Sequence, residues 1–332
     1  MEEELAKHKL RTSKEKQFVD FPFRYVGNKY KFSGSGAPMI ANVFDIIPND
    51  MVNYYEPFCG TAAIGINVLH NKRLYPNLEK VVLSDTNKDV VLLLNYIKDE
   101  PEKVLEIVYD TYVNGMNKEI HKELGKKYEK NPESIEGIVS KAIKTTNSYG
   151  CDPKGGFHPD RKREYSTRDK FDKWLKNLIK RHNTYIMYVS QALNNPEVDV
   201  QIIQEDYLNI RNSFEKGSFI LLDPPYKESI IKYNNTNKLD INSILYEDLK
   251  IHKNDYNYLL FDYFAYIGEN MNEKYISIRK QQPEDYCFSI SSYKFPIHHG
   301  DKNNVNNEQK ALEGILYSKS LDKPIKLNVV KP

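Results

Sequence analysis

Cysteine is scarce in this chain: Cys59, Cys151 and Cys287 are the only three in 332 residues, odd in number and widely separated. That excludes a disulfide framework and a cysteine-type zinc site, and it points to a reducing compartment. The eight histidines form no cluster, so no histidine metal centre is expected and none is given a role. No apolar run approaches the eighteen or so residues that cross a bilayer, and residues 1–17 are charged rather than signal-like. The expectation is a soluble, non-secreted protein with no membrane partner. Net charge is also nearly absent, since 48 Lys and Arg against 46 Asp and Glu leave +2. The balance is uneven, however: residues 116–185 hold 17 basic against 10 acidic side chains, a surplus of seven that leaves the remainder at −5. One polyanion-facing region would give this pattern, and so would solvated lysine-rich helix faces. The length fits one large domain or two smaller ones.

Periodicity supplies the organisation. Residues 1–19 are charged and aperiodic and read as a loose leader. An aromatic segment turns at Gly27-Asn28, and residues 41–47 space apolar side chains as a helix stopped by Pro48. Strands are expected at 52–56, 198–203, 218–223, 256–261, 275–278 and 314–318, a turn then a strand over 74–83 ending at Ser84-Asp85, and helices at 61–69 and 86–97. Strand, loop and helix alternating at this interval predict βαβ units and a mainly parallel sheet. Residues 98–195 differ in character. Stretches 134–143 and 171–189 each gather apolar residues on one helical face, and the Gly-, Asp-, Lys- and Arg-rich segment 147–170 between them reads as a loop or hairpin. Residues 227–250, rich in Asn and Lys, begin as a mobile loop in this reading. The whole is one α/β domain carrying a largely helical, basic insertion.

Chemistry concentrates where the apolar run Phe219-Ile220-Leu221-Leu222 empties into Asp223-Pro224-Pro225-Tyr226. Two adjacent prolines remove two N–H donors, so Asp223 and the proline-side carbonyls offer only acceptors, which suits a ligand bringing an amino group. Tyr226 offers a flat face for a planar ring. Upstream, Tyr55-Glu56-Pro57-Phe58-Cys59-Gly60-Thr61-Ala62 is a strand end running through a small-residue loop into a helix. Loops of this kind lie at the carboxyl ends of parallel strands, and Gly60 permits close backbone approach. Asp85, 25 residues on, either accepts two ribose hydroxyls or caps the helix from Thr86 onward. Asp206 ends a later strand and could accept an adenine amino group.

In this order the set resembles the Dam-type, alpha-order DNA adenine-N6 methyltransferases, over about residues 23–317. The resemblance rests most heavily on Asp223-Pro224-Pro225-Tyr226, which looks like the family's catalytic signature, and on Tyr25-Val26-Gly27-Asn28-Lys29, similar to its N-terminal Tyr-x-Gly-x-Lys segment. It implies a Rossmann-like class I methyltransferase sheet and S-adenosyl-L-methionine as cofactor. Tyr25, Lys29, Glu56, Phe58, Gly60, Asp85 and Asp206 would be cofactor-binding, and Asp223, Pro224 and Tyr226 catalytic. It further implies a catalytic domain from 20–97 and 196–332 and a target-recognition domain at 98–195, where Lys162 and Arg163 would contact phosphate. Double-stranded DNA is the implied partner, with the target base flipped out. A monomer or weak dimer is expected, in the cytoplasm of a bacterial or virus-infected host cell. Whether a restriction endonuclease accompanies the chain stays open; no obligate contact with one is expected.

The chain departs from the family pattern in three places. Gly155-Gly156-Phe157-His158-Pro159 keeps only part of the recognition-hairpin motif, so the target sequence does not transfer. Ala62 stands at the cofactor loop's second glycine, where a slightly wider turn would accommodate it. Leu260-Phe261-Asp262-Tyr263 replaces a Ser-Asn-like strand end. Transfer to RNA or another amino group, or nucleic-acid binding without turnover, are the competing readings.

Overall fold

The computed structural model describes residues 11–13, 16–25, 43–158, 167–225, 241–267, 286–296 and 310–318. They fall into two compact units. One takes the described residues of 1–30, 59–74 and 82–206, the other those of 31–58, 75–81 and 207–332.

The first unit is built on helices. β1 (Arg11–Ser13) and β2 (Lys16–Phe18) pair antiparallel, Thr12 opposite Gln17. Part of the supposed leader is therefore ordered as a ribbon, for a reason given below. α1 (Ala63–His70) follows the cofactor-type loop; α2 (Lys88–Asp99), α3 (Pro101–Tyr112), α4 (Lys118–Lys130), α5 (Ile135–Thr146) and α6 (Arg168–Leu193) complete the helices. Four of them start on side-chain caps: Asn87, Asn117, Ser134 and Thr167 each accept a first-turn N–H. α6 packs on α1, α2 and α3, and α5 on α2, α3 and α4. Their buried faces (Leu94, Ile97, Val104, Val108, Ile138, Val139, Ile186, Val189) are the apolar stripes that the 3.6-residue period requires. α3 and α4 had no separate expectation within the helical insertion. The strand β5 (Asp199–Gln204) lies against α2.

The second unit is a sheet. β3 (Asn53–Glu56) pairs parallel with β6 (Phe219–Leu222), Tyr54 opposite Phe219, and β6 pairs parallel with β7 (Asn257–Ile267), Leu222 opposite Leu260. β9 (Lys310–Ser318) runs antiparallel to β7 and to β8 (Tyr286–Pro296). Every residue of β6 is buried, as an interior parallel strand demands. A mixed α/β fold results, with a parallel centre and an antiparallel margin. Two short elements complete it: α7 (Tyr207–Ile210) and α8 (Ile241–Ile251). α8 occupies the end of the 227–250 segment, where no helix was anticipated: Leu245 and Leu249 are fully buried one turn apart, and that spacing is helical. β8 was not anticipated, and Leu260 to Tyr263 lies within β7 rather than at a strand end. Of 41–47, only Val43 and Phe44 are helical among the described residues, and the chain turns at Asp45 and Ile46. The strand expected at 275–278 and the start of the 227–250 segment lie outside the described residues.

Candidate active site

In the second unit β3 and β6 are neighbours although some 160 positions separate them, and β6's other neighbour is β7. The chain thus leaves β3 for α1 and β4 (Lys80–Asp85), and leaves β6 for α8 and β7. The carboxyl ends of adjacent parallel strands are where open α/β sheets bind ligands. At the carboxyl end of β3 stand Glu56 and Phe58; at that of β6 stand Asp223, half-buried, and Pro224, buried. Glu56 is 3% exposed, and the Tyr54 hydroxyl donates to its Oε2 at 2.8 Å. The Glu56 carboxyl is thereby held at the strand end.

Phe58 is held by a neighbour that the sequence did not single out. Its ring stacks on Tyr207, centroids 5.4 Å apart and planes at 20°. The buried Tyr207 hydroxyl donates to Asp248 Oδ2 at 2.8 Å, and Arg211 grips the same carboxylate at 2.9 and 3.0 Å. Burial, then the Asp248 charge, push the Tyr207 phenol well above its usual range, so it stays a neutral donor. Asp248, on α8, therefore fixes an aromatic shelf under Phe58. The sequence signal was faint: a tyrosine directly after the motif acid Asp206.

The first unit gathers Tyr25, Gly60, Asp85 and Asp206. Asp85 closes β4, and its carboxylate accepts from Gly60 N–H at Oδ2 and from Asn87 N–H at Oδ1, both at 2.8 Å. The alternative role of helix cap is thereby corrected: Asn87, not Asp85, caps α2, its Oδ1 accepting from Asp89 N–H at 3.2 Å. Asn87 Nδ2 also donates to the Tyr25 hydroxyl at 3.1 Å. Desolvation raises the Asp85 carboxyl, opposed by the two N–H donors. Gly60 adopts φ +49°, and a Cβ there would meet only the Tyr25 ring, at 3.8 Å. Glycine is needed for the backbone conformation rather than for lack of room. Ala62 takes φ 50°, ψ 36°, a left-handed backbone that costs a non-glycine residue about 1 kcal/mol. Asp206 is exposed beside Asp85's strand end, since Glu205 N–H donates to Asp85 O at 3.2 Å.

Tyr25 owes its place to two asparagines that the sequence reading passed over. Asn67, 0% exposed, donates to Val19 O and accepts from Val19 N–H at 2.8 and 2.7 Å; one turn later Asn71 does the same for Gln17 at 2.8 and 3.2 Å. α1 so presents an amide edge that β2 pairs with as it would with a strand, which is why the ribbon orders. From there Phe21 and Phe23 are buried, Arg24 N–H donates to Thr146 Oγ1 at 3.0 Å, and Tyr25 arrives over Gly60. Two amides four apart in an otherwise apolar helix were the available signal. Asn67→Ala would strand both Val19 backbone groups, and a loss of about 2–4 kcal/mol is expected in urea unfolding. Asn71→Ala should lose about half as much, because its partner Gln17 is exposed and water can replace the lost bonds.

Lys29, Tyr226, Lys162 and Arg163 lie outside the described residues. Among the described residues no group of three or more His, Cys, Asp or Glu could hold a metal ion, and no helix is long and apolar enough to cross a membrane.

Among solved structures, an rRNA methyltransferase, aviRa, from Streptomyces viridochromogenes aligns at 10% identity and TM-score 0.32, covering 90% of each chain. A precorrin-6y C5,15-methyltransferase from Geobacter metallireducens aligns at 9% identity and TM-score 0.32, covering 90% of this chain and 93% of that one. The modification methylase StsI of Streptococcus sanguinis is 21% identical over 293 residues, 80% of this chain and 41% of that protein. The type II methyltransferase M.MjaIII of Methanocaldococcus jannaschii is 24% identical over 216 residues, 59% of this chain and 68% of that protein. This chain spans about two fifths of the length of StsI. The family described as D12 class N6 adenine-specific DNA methyltransferase matches residues 25–249, well over half of the chain, from Tyr25 through Asp223 to α8, and the chain belongs to that family.

Proposed function

We propose that this chain is a site-specific DNA adenine-N6 methyltransferase that moves a methyl group from S-adenosyl-L-methionine to a flipped-out adenine. The observation that carries the reading is the fully buried β6 running into Asp223-Pro224 beside the end of β3, in a member of an adenine-N6 family. The cofactor residues fit their group: a carboxylate on β4 and a left-handed glycine with an aromatic ring above it. Bound there, S-adenosylmethionine supplies an electrophilic methyl on a sulfonium and departs as a neutral thioether. Asp85 would accept the ribose hydroxyls with the lone pairs that Gly60 and Asn87 leave. Tyr25, Lys29, Glu56, Phe58 and Asp206 would hold the remainder.

An adenine N6 lone pair is delocalised into its ring and is a poor nucleophile. Asp223 and the Pro224 carbonyl would accept its two N–H bonds, drawing the nitrogen out of conjugation and orienting it, while Tyr226 stacks on the base. As the N–C bond forms, one N6 proton would pass to Asp223 and on to water. Residues 98–195 would form the recognition domain, with Lys162 and Arg163 on phosphate, and residues 20–97 and 196–332 the catalytic one. A modification role beside an endonuclease, in the cytoplasm, accords with this reading. The test is incubation with labelled S-adenosylmethionine and duplex DNA or RNA, followed by nucleoside digestion. N6-methyladenine in DNA is expected. Its absence at every salt concentration would overturn the proposal, and label in RNA alone would redirect it.

A further inference from the structure

α6 is the longest described helix, and its two sides differ sharply. Phe171, Trp174, Leu175 and Leu178 continue, toward the N-terminus, the face on which Tyr185, Ile186 and Val189 are buried. Trp174 meets Tyr112 edge-on at 5.9 Å, so this end of the helix is anchored, not projecting. On the opposite side Lys173, Lys176 and Lys180 recur at i, i+3 and i+7, within about 60° of one another and over about 10 Å of axis.

None of these three makes an ion pair among the described residues, whereas several lysines of the neighbouring helices do. Lys103 pairs with Glu106, Lys126 with Glu123 and Lys127 with Glu136 on neighbouring helices. On α6 itself Asp172 is occupied by Arg168 at 3.0 Å, and Asp20 by Arg181 at 3.3 Å. Asp169 shares the stripe's face one turn before Lys173, yet no ion pair joins them among the described residues. Folding gains nothing from three uncompensated cations in a row, because like charges at helical spacing repel. A polyanion laid along the helix would neutralise all three.

We propose that Lys173, Lys176 and Lys180 form a phosphate-contacting stripe that seats duplex DNA along α6. The inference rests on the DNA reading above and adds a binding face to it. B-form DNA carries one charge per about 1.7 Å of axis, so a stripe of this length faces several phosphates. Such contacts set affinity and register without reading sequence.

The experiment compares the full chain with the triple variant K173Q/K176Q/K180Q on a labelled random-sequence duplex, measuring binding by anisotropy from low to moderate salt. The slope of log affinity against log salt should fall by about 2 to 3, near 0.9 per phosphate lost. The Michaelis constant for DNA should rise more than tenfold, with turnover at saturating DNA within twofold and S-adenosylmethionine affinity unchanged. The variant K173R/K176R/K180R should keep the wild-type slope. A glutamine variant that retains the wild-type slope overturns the stripe while leaving the enzyme reading intact. Failure of the wild-type protein to bind any duplex overturns both. Tighter binding to duplex RNA than to duplex DNA, lost in the same variant, overturns DNA as the occupant.

Discussion

Asp223→Ala is expected to reduce methyl transfer by about 10³- to 10⁴-fold while S-adenosylmethionine still binds within a few-fold of wild type. The size follows from losing together the two roles proposed for Asp223, an acceptor that orients the nucleophile and a base that takes its proton. Folding should be little affected: Asp223 is half-buried at a strand end, whereas the buried run before it, Phe219–Leu222, is untouched. Asp223→Asn separates the roles. It keeps one acceptor oxygen but puts an amide donor against an N–H, so a smaller but still large loss is expected, and no gain from raising the pH. Equilibrium binding of the cofactor beside single-turnover transfer checks both. Loss of cofactor binding together with transfer would mean that Asp223 belongs to the cofactor's site.

What could be read from the sequence was what is written in consecutive residues. The apolar run into Asp223-Pro224 lies on β6, and Glu56 and Asp85 close β3 and β4, because buried parallel strands and their terminal acids are contiguous signals. What escaped was tertiary. Nothing near Gln17 announces that its backbone will pair with Asn71, 54 positions away, so an aperiodic charged stretch looked like a loose leader. The same applies to Tyr207, whose partner Asp248 sits on a helix that an Asn- and Lys-rich context concealed. Nor does residue identity announce a left-handed backbone at Ala62: the Cys59–Gly60 loop is fixed by Ser84 O and Asp85, and Ala62 N–H donates to Cys59 O at 2.6 Å, so the strain is held in place.

Asp85→Ala is expected to weaken S-adenosylmethionine binding by about 100-fold, from two lost hydrogen bonds to a charged acceptor and a Gly60 loop released from its anchor. Acid should mimic the variant in wild type, and the direction of the Asp85 shift fixes how. Burial holds its folded-state carboxyl above the ordinary 3.8, so on acidification it is protonated before an exposed aspartate would be. The protonated group is a weaker acceptor, so cofactor affinity should fall as pH drops through that raised value. Its contribution to folding runs the other way. A carboxyl whose pKa is raised by folding adds stability that is fully present below 3.8 and is lost as pH climbs through the folded value. Between the two values the Asp85 contribution to apo stability should therefore grow while cofactor binding declines. Calorimetric titration of the cofactor across this range, set beside thermal unfolding of the apo protein, tests the opposition. Asp85→Asn, which cannot ionise, should abolish the pH step in affinity and the matching step in stability together. A wild-type affinity that stays level down to pH 4 would remove Asp85 from the cofactor's contacts and leave it as the anchor of the Gly60 loop alone.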